Sequence, residues 1–178
     1  MGNKGSAWER DVSKYLSKWL TGSEKPYQYW RMPGSGMIAT ISEENVGLTG
    51  DIKSLTTESA FLTDIFSLEL KTGYPKTSFI QLFANLKNFN IEKFWEQCTI
   101  DADKSDKRPM LIYKKLGRKP IVGIDLFVEN KFFIYLSRLA SMSIRFQDSK
   151  FETVVFYDFK DFFDKITPDI IKEKFKDV

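Results

Sequence analysis

The chain contains no histidine. That absence removes Ser-His-Asp hydrolases, Cys-His proteases, histidine-zinc sites and metal nucleases built on histidine. An enzyme made from this chain must work with carboxylates, lysines, hydroxyls or a bound metal. Cysteine is almost as scarce: Cys98 stands alone, which excludes an internal disulfide framework and a cysteine-rich zinc site and fits a reducing compartment. Long apolar runs are missing too. None approaches the ~20 residues of a membrane span, and the polar N-terminus does not read as a signal peptide, so no membrane partner is expected.

What is present describes a soluble globular chain of 178 residues, 42% hydrophobic and 29% charged, long enough to bury a good core as one domain. The net charge is only +3, but it is unevenly spread. Lys104, Lys107, Arg108, Lys114, Lys115, Arg118 and Lys119 cluster against a lone Asp106, while the stretch from 151 to 178 is acidic on balance. A basic block suits a polyanionic ligand; its plain alternative is a solvated lysine-rich hairpin.

Periodicity gives a coarse map. Trp8, Val12, Tyr15, Leu16, Trp19 and Leu20 predict a helix over 7–20, opened by Ser6 as N-cap and stopped at Gly22. Short strands are expected at 27–31 and 37–41, with a turn at Pro33-Gly34-Ser35-Gly36 between them. Residues 50–55 and 61–71 read as paired strands joined by a polar turn at 56–59. Helices are expected around 80–86 and over 91–103, then a strand at 110–115. Residues 121–128 and 132–136 read as a hairpin turning at Glu129-Asn130-Lys131. A last strand at 154–157 precedes a helix over 159–166, and Thr167-Pro168 opens a final helix to about 176. The order is α/β.

The richest segment is Phe66-Ser67-Leu68-Glu69-Leu70-Lys71, preceded by Gly50-Asp51. Alternation along a strand sends Phe66, Leu68 and Leu70 to one face and Glu69 and Lys71 to the other. If Asp51 lies on a neighbouring strand, two carboxylates converge beside one lysine. That arrangement suits a hard divalent cation and phosphodiester hydrolysis; the plain alternative is a solvent-facing polar stripe. Asp64 is a rival to Asp51, but its odd spacing puts it on the far face of a regular strand.

Asp followed by Glu-x-Lys on the next strand resembles the PD-(D/E)XK nuclease superfamily, with Gly50-Asp51 replacing the Pro-Asp half. Lys4-Gly5-Ser6-Ala7-Trp8-Glu9 and Arg31-Met32-Pro33-Gly34-Ser35-Gly36 look like archaeal Holliday-junction resolvases. Phe94-Trp95-Glu96-Gln97-Cys98, Asp101-Ala102 and Pro109 to Lys115 look like a phage-encoded branch. The resemblance covers about 4–122, with no match for the last third.

It implies a restriction-endonuclease-like core, a central mixed β-sheet flanked by helices, with 123–178 as a C-terminal elaboration of the same single domain. It implies Mg²⁺, with Mn²⁺ as substitute, held by Asp51, Glu69, the Leu70 carbonyl and Glu9, as one ion or two. Lys71 would either orient and help deprotonate the attacking water or stabilise charge on the phosphate. Gln97 would hold water or phosphate, and Ser35 would assist cleavage. Lys4, Arg31, Lys114, Lys115, Arg118 and Lys119 would contact DNA, with Lys114 and Lys115 on opposite faces of their strand.

Several of these residues have ordinary readings as well. Ser6-x-x-Glu9 is a capping box, Gln97 a polar boundary residue, and Ser35 a turn hydroxyl.

The expectation is therefore a metal-dependent DNA endonuclease acting on branched DNA as a homodimer, in the cytoplasm, or the host-cell cytoplasm if phage-encoded. Phe132-Phe133-Ile134-Tyr135 and the Phe-rich stretch Phe159–Phe163 are expected to offer apolar surface that a second subunit covers. Its rivals are a restriction-type, recombination-exonuclease or nicking enzyme on the same core, a non-cleaving nucleic-acid-binding module, and a structural or host-interaction protein.

Overall fold

A computed structural model describes residues 4–32, 49–74, 90–146 and 153–176. The expected turn at 33–36, the strand at 37–41 and the helix at 80–86 lie outside them, as does Ser35.

Helix α1 (Lys4–Thr21) buries Trp8, Val12 and Leu16, one turn apart each. It ends where Gly22 takes φ +79° and its N–H donates to the Lys18 carbonyl at 2.7 Å. The helix starts earlier than the sequence suggests, so Ser6 lies inside it and does not cap it.

Strands β1 (Tyr29–Arg31) and β2 (Ile52–Ser54) form an antiparallel ribbon with Arg31 opposite Ile52. The strand expected over 61–71 begins only at Phe66. Residues Thr57–Ile65 are helix α2, because Thr56 and Ser59 close a capping box. The polar stretch read as a turn is that cap. Asp64 consequently sits exposed on a helix.

Next come β3 (Phe66–Thr72), α3 (Asn90–Lys104), β4 (Arg108–Lys114), β5 (Ile121–Asp125) and α4 (Leu126–Leu136). The chain continues through β6 (Ser141–Arg145), β7 (Thr153–Asp158), α5 (Phe159–Lys165) and α6 (Pro168–Lys174). The expected hairpin across 121–136 is instead a strand followed by a helix. Asp125 caps α4 by accepting from the Val128 N–H at 2.7 Å, and Val128, Phe132 and Leu136 bury one helical stripe. Strand β6 is not among the expected elements, although Ser141-Met142-Ser143-Ile144-Arg145 alternates polar and apolar residues; its exposure follows that alternation and only Ile144 is buried.

The sheet has five strands in the order β3-β4-β5-β7-β6. Only β3 and β4 run parallel, which requires a crossover, and α3 lies within it. The molecule is thus α/β with a mixed central sheet flanked by helices, consistent with a restriction-endonuclease-like core.

Apolar side chains fill both sheet faces. One cluster joins Phe66, Leu68, Leu70, Met110, Ile112, Val122 and Val155 to α1, α2, α4, α5 and α6. The Phe159–Phe163 stretch belongs to it and is interior, leaving no apolar surface there for a second subunit. The other, smaller cluster packs Ile91, Phe94, Trp95 and Cys98 of α3 on Leu111, Tyr113, Val154 and Phe156. Gly123 makes room on that face, since a Cβ there would stand 2.6 Å from the Phe156 ring.

Candidate active site

Gly50 takes φ +89°, and a Cβ on it would lie 3.0 Å from both the N and O of Leu68. Proline cannot adopt that φ, which accounts for Gly50-Asp51 in place of a Pro-Asp pair. The tight approach lets the Asp51 N–H donate to the Leu68 carbonyl at 2.7 Å, while the Asp51 carbonyl accepts from Met32 N–H at 2.7 Å. Asp51 is therefore clamped between the β1 exit and β3, just ahead of β2. Its carboxylate Oδ2 accepts from the Leu70 N–H at 2.8 Å.

On β3, Ser67, Glu69 and Lys71 face α3, opposite the side that carries Leu68 and Leu70. Lys71 Nζ is ion-paired with Glu69 Oε1 and also donates to Gln97 Oε1 of α3 at 3.0 Å. The same ammonium lies 5.8 Å from the Phe94 ring centroid. Glu69 is 5% exposed and Asp51 9%.

Burial pushes the Glu69 carboxyl up to about 7; the Asp51 charge and, more weakly, Asp101 add to this, while Lys71 opposes it. Burial works against the Lys71 ammonium as well, but the Glu69 and Asp51 carboxylates outweigh it and hold its pKa above the ordinary value. Cys98 is wholly buried behind this site, and burial pushes its thiol well up, so it serves as apolar filling.

Two buried acids at one spot, one of them driven toward neutrality despite an adjacent ammonium, mark a place short of positive charge. The donors fit a hard cation, because Mg²⁺ takes one or two carboxylates and keeps water for the rest of its shell. Asp51 and Glu69 would hold it.

Glu9 forms no capping box with Ser6; both side chains meet Arg31. Glu9 Oε2 pairs with Arg31 Nη1 at 3.1 Å, and the same nitrogen donates to Ser6 Oγ at 3.0 Å. Among the described residues, Glu9 does not join Asp51 and Glu69 in one acidic group of three. Arg31 is thus engaged with α1, one residue before Met32 meets Asp51. Lys4 begins α1, and its side chain lies outside the described residues.

Strand β4 divides the basic block. Lys114 pairs with Thr72, so Lys114, Lys115, Arg118 and Lys119 follow the end of the sheet at which Lys71 stands. Lys114 Nζ sits 4.7 Å from the Trp8 ring centroid, and Arg118 and Lys119 are exposed. Lys104, Lys107 and Arg108 lie at the opposite end, roughly 20 Å away at about 3.3 Å per residue. Arg108 there packs on Phe127 at 4.0 Å and reaches Asp125 at 3.9 Å.

Several participants have no site role in the sequence reading. Asp101, named there only within a matched segment, lies one helical turn after Gln97 on α3 and acts on Glu69 electrostatically; the i, i+4 spacing was its available signal. Thr49 Oγ1 lies 2.6 Å from Ser105 Oγ, and Ser67 Oγ donates to Thr49 at 3.4 Å. These hydroxyls tie the approach to Gly50 to both β3 and the end of α3. Nothing local encodes that contact.

Comparison with known proteins agrees with this chemistry. The model of a family described as "Phage putative PDDEXK endonuclease" matches residues 2–173, including the last third, for which the sequence alone offered no resemblance. The chain is similar to "Protein D14" of Escherichia phage T5, with 27% identity over 124 residues, covering 70% of this chain and 68% of that protein. No solved structure matches.

Proposed function

The chain belongs to this phage PDDEXK endonuclease family, and from that premise we propose a divalent-metal-dependent DNA endonuclease whose site is Asp51, Glu69, Lys71 and Gln97. The observation that carries the reading is the convergence of two buried carboxylates and a lysine held by a glutamine on one sheet face.

A divalent cation, Mg²⁺ or Mn²⁺, would supply Lewis acidity toward water and neutralise charge developing on the phosphate. Asp51 and Glu69 would hold it, with the Leu70 carbonyl within the same short segment. The Leu70 N–H fixes the orientation of the Asp51 carboxylate. Lys71, placed between Glu69 and Gln97, would orient the attacking water or stabilise the phosphate. Gln97 limits where its amine can go. Lys114, Lys115, Arg118 and Lys119 position the DNA backbone at the same sheet end.

Branched DNA is the substrate we favour, cut by a homodimer on opposed strands of a four-way junction. Support comes from the resolvase-like Arg31 to Gly36 segment and from α4, where Phe133 and Ile134 are 56% and 81% exposed. The deciding assay offers four-way junction, flap, linear duplex and single-stranded DNA with Mg²⁺, Mn²⁺ or EDTA, alongside light scattering. Metal-dependent cleavage that favours the junction, by a dimer, is expected. A monomer that cuts linear duplex equally well removes the junction reading and leaves the nuclease, while no cleavage of any DNA removes both.

A further inference from the structure

We propose that the Tyr74 ring is a stacking platform for an unpaired nucleobase beside the scissile phosphate, making DNA that is unstacked at the cut the preferred ligand. The proposal rests on the nuclease reading above and adds a base-binding subsite to it.

Tyr74 follows β3 by two residues and is 41% exposed, yet it is held in place. Its ring packs on Phe94 at 4.7 Å between centroids, and its carbonyl accepts from the Tyr113 hydroxyl at 3.3 Å. Phe94 is also the ring over which the Lys71 ammonium sits. The amine and the tyrosine therefore both contact one buried phenyl. A phosphate drawn to Lys71 would bring its own nucleoside toward that exposed ring.

Among the described residues, the other strongly exposed aromatic side chains, Phe127 and Phe133, belong to α4. The buried stripe of α4 packs in the cluster on the opposite side of the sheet from α3. Tyr74 is thus the exposed ring on the Glu69 side. An anchored, half-solvated aromatic next to a cationic backbone track is the arrangement by which proteins grip single strands. Bases inside a duplex are covered on both faces by their neighbours, so only an unpaired or unstacked base can offer its face to the ring.

The test compares full-length wild-type protein with Tyr74→Phe, Tyr74→Leu and Tyr74→Ala. Each is titrated in EDTA with DNA carrying 2-aminopurine in a single-stranded gap and with the fully paired duplex. Wild type and Tyr74→Phe should quench the gap fluorophore and bind gapped DNA alike. Tyr74→Leu and Tyr74→Ala should lose the quench and roughly tenfold or more in gapped-DNA affinity, with duplex affinity and the salt slope unchanged. Retained binding in Tyr74→Leu would assign the residue to packing and overturn the platform. Equal losses on gapped and paired DNA would overturn it as well. Cleavage by wild type under Mg²⁺ reports separately on the nuclease reading: a cutting enzyme with an indifferent Tyr74 removes only the platform.

Discussion

One strand of seven residues shows two opposed regimes. On one face of β3, Phe66, Leu68 and Leu70 join the larger apolar cluster, with Phe66 and Leu68 almost wholly buried. On the other, Ser67 and Glu69 are as deeply covered, but Glu69 is a carboxylate whose charge is disfavoured there. The first face stabilises the fold through area removed from water. The second holds charges at a cost, compensated in part by the Lys71 ammonium, which Gln97 helps to hold in place. Stability and chemistry are thereby separated by a single peptide step, and substitutions on the two faces should fail in different ways.

Paired substitutions give the sharpest contrast. Glu69→Ala or Asp51→Ala should lower cleavage by at least about 10³-fold, the scale of removing a group that stabilises transition-state charge. DNA binding should survive or tighten, since a negative charge near phosphate is lost. Leu68→Ala should do the reverse, costing about 2–5 kcal/mol in a urea melt while the folded fraction still cuts. Full nuclease activity in Glu69→Ala would break the contrast outright.

A subtler version uses pH. The Glu69 carboxyl is raised to about 7 by burial, then by Asp51, from an ordinary 4.5. In that window the folded state holds a proton that the unfolded chain has released. Its contribution to stability is therefore full below about 4.5 and lost as pH rises through about 7, on the order of 3 kcal/mol between the limits. Glu69→Gln should consequently raise the melting temperature at pH 8 without metal and change little at pH 4.5. An equal effect at both would mean that Lys71 already neutralises the carboxylate fully.

How far the sequence disclosed this follows from range. Alternation put Glu69 and Lys71 on one face, and the helical spacing of α1 and α3 was plain because their apolar stripes are complete. Thr57–Ile65, a short mix of polar and apolar residues, and Leu126–Leu136, split by Glu129-Asn130-Lys131, are too short for periodicity to separate helix from strand. Their caps, Thr56-x-x-Ser59 and Asp125-x-x-Val128, were the local cues. Strand β6 pairs with β7, and its only local cue is five residues of polar–apolar alternation, Ser141-Met142-Ser143-Ile144-Arg145. The Gly50 clamp, the Arg31–Glu9 pair and the Thr49–Ser105 contact join segments far apart in the chain, so no window of sequence contains them. The expected apolar surface at 159–163 failed for the opposite reason. Phe159, Phe162 and Phe163 were read as spare surface, although the core of α1, α4 and α5 required them.

The smallest effect tests whether the division extends to the basic block. In sequence its seven cations form one patch, but β4 sends Lys115, Arg118 and Lys119 to the Lys71 end and Lys104 and Lys107 to the other. At that end carboxylates already engage the cations: Lys104 reaches Asp101 at 3.5 Å and Arg108 reaches Asp125 at 3.9 Å. Log affinity for duplex DNA should fall with log salt at roughly −0.9 per phosphate contact. Arg118→Gln with Lys119→Gln should flatten the slope by about two such contacts, because each neutralised side chain no longer displaces a counterion. Lys104→Gln with Lys107→Gln should leave it unchanged, although the net charge falls equally. Equal flattening by both pairs would mean that DNA senses the protein's total charge; a difference confined to the first pair would place the duplex along the Lys71 end of the sheet.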